Sequence, residues 1–139
     1  MTSTILFLCP HHAAKSVIAE AYFNRLAKQY DFPLRGDSAG TDPAEAVSPA
    51  VVDLLRSEGI DVSSHQPRQV TESDLTQAQR IISMGCTPEE LGVASERIEQ
   101  WADVPMVSQD IFAARDAIRA HVESLVTQLR DVSIVGDER

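Results

Sequence analysis

Residues 4–20 read Thr4-Ile5-Leu6-Phe7-Leu8-Cys9-Pro10-His11-His12-Ala13-Ala14-Lys15-Ser16-Val17-Ile18-Ala19-Glu20, and the change of period inside this stretch decides the fold. Residues 4–8 form a short apolar run without polar alternation, which suits a strand buried on both faces, as in a parallel sheet. After a short loop, Val17, Ile18, Ala21, Tyr22 and Leu26 recur at helical spacing, so a helix is predicted over about 16–29.

The same alternation continues outward. Pro33, Gly36 and Gly40 punctuate a predicted strand near 34–39. Ser48 followed by Pro49 reads as an N-cap with proline in the first turn, opening a helix that runs to Glu58 and ends at Gly59. Residues 61–70 are polar, contain Pro67 and read as a loop. Thr71 with Asp74 resembles a capping arrangement for a short helix through Ala78. Ile81-Ile82, within Arg80–Met84, marks another buried strand that ends at Gly85-Cys86, and Arg97–Trp101 marks a weaker fourth strand. Ile111, Ala114, Ile118, Val122, Leu125 and Leu129 step by three and four along a last long helix. The tail after Asp131 carries Gly136 and charges and is expected to fray. Strands alternating with helices predict an α/β fold, a three-layer sandwich on a four-stranded, mainly parallel sheet with right-handed crossovers. Residues 1–139 read as one domain, without internal repeat or linker.

Twenty-one acidic against twelve basic residues leave a formal charge of −9. That charge excludes the broad basic surface needed for nucleic acid or for anionic lipid. No apolar run is long enough to span a membrane, and the N-terminus lacks a signal-peptide pattern, so the chain reads as cytoplasmic. Two cysteines, Cys9 and Cys86, are too few for a disulfide scaffold or a cysteine-rich zinc site. His11 and His12 are adjacent and have no obvious carboxylate partner, so neither a metal nor a cofactor is expected.

The loop between the first strand and first helix carries the chemistry. In an open α/β sheet, ligands bind beyond the carboxyl ends of the strands, where this loop must sit. A tight loop feeding a helix N-terminus turns several backbone N–H groups toward one point, and the helix dipole adds partial positive charge there. His11, His12, Ala13, Ala14, Lys15 and Ser16 are therefore the candidate oxyanion-binding residues. Cys9 at the base of such a cradle would have its thiolate stabilised, and the thiolate is the nucleophile. Lys15 adds a full charge, and the Ser16 hydroxyl can hydrogen-bond the sulfur. A lone cysteine ending a buried strand is more often simply a small core residue. A cation and a hydroxyl at the helix start favour the functional reading.

From these residues the chain resembles the low-molecular-weight protein tyrosine phosphatases and the thiol-dependent arsenate reductases that share their fold. The family signature is Cys, five residues, Arg, then Ser or Thr, directly after the first strand, and a Met-Ala-Glu stretch follows it. Here Val17-Ile18-Ala19-Glu20 occupies that stretch. Ser38-Ala39-Gly40-Thr41, the segment 47–61, and Trp101 to Pro105 are similar to further family segments, so the resemblance covers roughly residues 4–130. Pro67, Thr71-Glu72 and Ile81 to Cys86 look like the arsenate reductase branch. The resemblance implies that Cys9 is the nucleophile and that Ser16 stabilises its thiolate. It also implies a general acid from an Asp-Pro loop after the tryptophan.

Two departures stand out. Lys15 occupies the arginine position, replacing a planar bidentate fork by a point charge. By analogy with oxyanion-hole deletions, that change costs ~3 kcal/mol or more, about a hundredfold in rate. His11 and His12 replace the small residue and asparagine usual in the loop, and if protonated they would restore part of the charge. In the acid loop, Met106 occupies the acid's position if Pro105 matches the proline that often precedes Asp-Pro. If the loop is shifted, Asp103 or Asp110 serves, against the alternative that Asp103 is a solvated loop carboxylate or helix cap.

Cys86 ends the third strand and should share the sheet edge with Cys9, either as a redox partner or as a buried strand-end residue. Residues 87–101 contain no cysteine, so the family's three-cysteine relay cannot run. A reductase cycle would need an external thiol, or a Cys9–Cys86 disulfide opened by thioredoxin or glutaredoxin. His65 and His121 read as solvent-facing, Asp37 and Asp42 as turn residues, and Trp101 and Tyr22 as core or pocket rim.

The first functional expectation is therefore an arsenate reductase-like, thiol-dependent oxyanion enzyme. Its partners would be arsenate or phosphate and a thioredoxin, glutaredoxin or small-thiol reductant. A low-molecular-weight phosphatase acting on a phosphorylated substrate is second. A catalytically impaired oxyanion-binding or regulatory homologue is third.

Overall fold

A computed structural model describes residues 3–11 and 13–137, with side chains through Arg130. Among the described residues the strands and α-helices follow in the order β1 (Ser3–Leu8), α1 (Lys15–Gln29), β2 (Leu34–Ala39), α2 (Pro49–Ser57), α3 (Glu72–Gln77), β3 (Ala78–Ser83), α4 (Pro88–Leu91), β4 (Ile98–Gln100) and α5 (Ile111–Asp137). The four strands form one all-parallel sheet in the order β2-β1-β3-β4, as the buried apolar runs predict.

Strand periodicity divides the core in two. Ile5, Phe7 and Ile82 face a cluster with Val17, Phe23, Leu55 and Ile118, under α1, α2 and α5. Leu6, Leu8 and Ile81 face a cluster with Leu75, Leu91 and Ile98, on the α3 and α4 side. Both faces of the sheet are thus covered, giving three layers. Truncating Phe7, fully buried between Phe23 (5.7 Å) and Trp101 (5.8 Å), would cost about 3–5 kcal/mol.

Register sets the position of the site. Leu8 pairs with Ala39 on one side and Ser83 on the other, so three strands end level and their loops emerge at one edge. The chain leaves β1 for β2 on one side and later returns to β3 on the other. The crevice between the loops after β1 and β3 is therefore the topological switch point, the usual ligand position in such sheets.

Local chemistry accounts for the boundaries. Thr71 and Asp74 close a reciprocal capping box on α3. Thr87 and Glu90 close a second one on α4, a helix that the pattern Thr87-Pro88-Glu89-Glu90 announces and that periodicity over four residues cannot show. Ser48 takes the N-cap position of α2 without a side-chain cap bond; its N–H instead donates to the Ala13 carbonyl. Gly59 ends that segment at φ +84°. The α5 backbone stays helical through Asp137, beyond Asp131 where fraying is expected, and no proline interrupts it. Tyr22 is buried and donates to Glu58 Oε1 (2.9 Å); burial, then Glu58, pushes its hydroxyl up to about 12.

Candidate active site

Cys9 follows β1 on the α1/α5 face of the sheet and is 5 % exposed. Its thiol donates to Ser16 Oγ at 3.1 Å, and the Ser16 N–H donates to its sulfur at 3.4 Å. Ser16 is fully buried in the first turn of α1, so the sulfur rests at the positive end of a 15-residue helix.

The loop between them is held from outside. The Pro10 carbonyl accepts from the Asp42 N–H (2.7 Å), the His11 carbonyl from Ala44 (2.9 Å) and the Ala13 carbonyl from Ser48 (2.8 Å). No peptide bond among the described residues is cis, so each carbonyl pointing outward turns the following N–H the other way. The His11 and Ala14 N–H groups therefore face away from the 42–48 segment. On the β3 side, Gly85 adopts φ +120° and lies where a Cβ would meet Pro10 Cδ at 3.2 Å, a position that only glycine fills.

A cavity of about 440 Å³ opens above Cys9. Met84, Met106, Val107 and Ile111 give it apolar walls, and His11, Lys15, Ser48 and Ser108 supply its polar atoms. The Lys15 ammonium donates to the Val104 carbonyl (3.4 Å), bridging the cradle to the segment after Trp101. His11 Nδ1 pairs with the Asp42 carbonyl at 3.0 Å. His12 lies outside the described residues.

The structure thus brings Cys9, His11, Ala13, Ala14 and Lys15 to one cavity, with Ser16 beneath the sulfur. It does not bring Asp103 there. Among the described residues no carboxylate lines the cavity. Asp103 accepts from His121 Nε2 (2.7 Å), and that bond holds its exposed carboxyl below the usual range, opposite to what a proton donor at neutral pH needs. Asp110 caps α5, accepting from the Ala113 N–H (3.0 Å). Met106, in contrast, lines the cavity and is 54 % exposed.

Cys86 lies three residues beyond β3, but within the cluster on the α3/α4 face, opposite the cluster that holds Cys9. Both cysteines are free and buried. Burial pushes the Cys86 thiol up, a Thr41 hydroxyl at 3.8 Å opposes this, and the charge of Cys9 adds to the rise. The two cysteines therefore lie beyond the ends of neighbouring strands, in clusters on opposite faces of the sheet.

The two histidines expected in solvent are each half-buried. His65 lies 4.0 Å from Glu20 Oε2, because the 61–70 loop folds back on α1. His121 stacks on Trp101 (4.6 Å between centroids, 12° between planes), because its position borders the buried stripe of α5 at Ile118 and Val122. Sequence periodicity shows that stripe but not which flanking residue leans onto it.

A family model described as low molecular weight phosphotyrosine protein phosphatase matches residues 4–123. The chain belongs to this family. Within it, the chain is similar to a Halobacterium salinarum protein named "Putative arsenate reductase", at 29% identity over 132 residues, 94% of this chain and 92% of that one. The crystal structure of YfkJ from Bacillus subtilis superposes with a TM-score of 0.84 at 25% identity, covering 94% of this chain and 96% of the other. A Corynebacterium glutamicum thioredoxin-dependent arsenate reductase shares the fold, with a TM-score of 0.80 at 23% identity over 93% of this chain and 62% of that chain. The family thus holds both chemistries expected from the sequence, and the four-stranded parallel sheet is its fold.

Proposed function

We propose that this protein is an arsenate reductase-like, thiol-dependent oxyanion enzyme with Cys9 as its nucleophile. The observation that carries the reading is the cradle. Three loop carbonyls are tied outward, a buried sulfur is bonded to Ser16 at the start of α1, and one ammonium stands at the rim. A tetrahedral anion in that loop meets backbone N–H groups and Lys15 while its central atom sits above the sulfur. The Cys9 thiolate attacks arsenic(V) and an arsenate oxygen leaves as water, giving a thiol ester. A second thiol then attacks the Cys9 sulfur. That step forms a disulfide, returns the electron pair to arsenic and releases arsenite.

One feature favours arsenate over a phosphate monoester. Arsenate exchanges its oxygens readily, so it asks less of a general acid, and the cavity shows no carboxylate among its described lining residues. For the second thiol, Cys86 is buried, raised in pKa and bonded to Thr41, so an external thiol fits the resolving role better. Thioredoxin, glutaredoxin or a small thiol would supply it in the cytoplasm. A phosphomonoesterase is the second reading. It is favoured by one observation, that a cavity of 440 Å³ with apolar walls has room for an organic group beside the anion.

The test is arsenite production from arsenate with thioredoxin, glutaredoxin and small-thiol systems, run beside Cys9→Ser. Turnover that depends on Cys9 supports the reading, and no turnover above the variant removes it. Hydrolysis of p-nitrophenyl phosphate between pH 5 and 8 decides the second reading; a flat rate at background level eliminates it.

A further inference from the structure

The segment between β4 and α5 is hydrogen-bonded to the cradle through the Val104 carbonyl, which accepts from Lys15. What holds that carbonyl in place starts on the sheet. The Trp101 N–H donates to the Ser83 carbonyl (2.9 Å) and its indole N–H to Glu99 Oε2 (2.8 Å). Its ring is buried against Phe7. The turn that follows is exposed at Ala102 and Asp103 before Val104 is buried again. An exposed turn of this kind would be free to rock about Trp101. His121 removes that freedom, because its ring stacks on the indole and its Nε2 holds the Asp103 carboxylate, one peptide unit before Val104.

We propose that His121, acting through Asp103, is a positioning residue for the anion site. It fixes the Trp101–Val104 turn, so that the Val104 carbonyl holds the Lys15 ammonium in place at the rim of the cradle. The inference rests on the reading that Lys15 faces the bound anion. A lysine has a long, flexible stem, and an anion that must order it binds more weakly than one that finds it already placed. The ammonium has three donors, so one bond to Val104 leaves two for the ligand. Arginine brings its own planar fork and needs less external help, so a latch of this kind suits a cradle in which lysine has taken that place.

Inorganic phosphate binding, measured by calorimetry, tests this without requiring turnover. The variants are Asp103→Ala, which lies at an exposed position, and His121→Phe, which keeps a ring on Trp101 but no hydrogen bond. Each should weaken phosphate about three- to tenfold, the range for one side chain that the ligand must newly immobilise. In a Lys15→Met background the same changes should alter binding less than about twofold, because the group they position is gone. Equal losses in both backgrounds, or no loss with Lys15 present, overturn the proposal. If Lys15→Met itself leaves phosphate binding unchanged, the cradle reading fails and the latch with it. If Lys15→Met weakens binding and Asp103→Ala does not, the latch alone fails.

Discussion

Lys15→Arg restores the signature cation, and the structure sets the size of the effect. In the wild-type protein the ammonium makes one long bond, 3.4 Å, to a backbone carbonyl. A guanidinium in its place presents two parallel N–H groups to an oxyanion, and one further charge-assisted hydrogen bond is worth about 1.5–3 kcal/mol. Against this stand the loss of the Val104 bond and the fitting of a larger group at a partly buried position, together about 1 kcal/mol. The net gain of roughly 0.5–2 kcal/mol corresponds to about a two- to thirtyfold rise in kcat/KM. Arsenate reduction at limiting arsenate and saturating thiol measures it, with phosphate inhibition as an independent reading of anion affinity. A gain in both places residue 15 on the anion. A change of less than twofold in both, or a loss in both, would refute the reasoning, because a bidentate donor facing the oxyanion cannot be neutral.

Gly85→Ala should cost about 2–3 kcal/mol in chemical denaturation, because φ +120° is strained for any L side chain and the new methyl meets Pro10; a loss under about 0.5 kcal/mol would show that the loop yields freely. Glu20 accepts from Ser38 Oγ (2.5 Å), and burial, opposed by that bond and by His65, raises its carboxyl above 4.5. An acid raised in the folded state contributes stability that is fully present below pH 4.5 and is lost as pH rises through its folded pKa. Glu20→Gln should therefore melt at or above the wild-type temperature at pH 7.5, with its advantage shrinking toward pH 4.5; the opposite trend would show that the charged form is the favoured one. Cys86→Ser should retain arsenate reduction within a few-fold when an external small thiol is the reductant, and abolition of that activity would make Cys86 the resolving thiol.

Most of the fold is written in short-range patterns. Ile5 to Leu8 and Ile81-Ile82 announce strands buried on both faces, Thr71 with Asp74 announces a cap, and the stripe from Ile111 to Leu129 announces the last helix. The cradle is legible for the same reason, since Cys9, Lys15 and Ser16 lie within eight residues and their strand–loop–helix context is local. What depends on contacts between distant segments is not legible. Nothing near Asp103 reveals that His121, eighteen positions away, holds its carboxylate and keeps it from the cavity. Nothing near Cys86 reveals that its thiol falls into the cluster opposite Cys9, which a two-residue turn at Met84-Gly85 decides. His11 stands between these cases, because its place in the loop is local but the Asp42 carbonyl that fixes its tautomer arrives from the segment after β2.

The central claim is that Cys9 is a nucleophilic thiol lying directly beneath a bound oxyanion. Alkylation by iodoacetamide at pH 7, followed by peptide mass spectrometry with and without saturating phosphate or arsenate, tests it most directly. Cys9 should be modified well ahead of Cys86, whose thiol burial pushes up, and should be protected when either anion is present. A Cys9 that stays unmodified, or one whose modification rate ignores both anions, would contradict it.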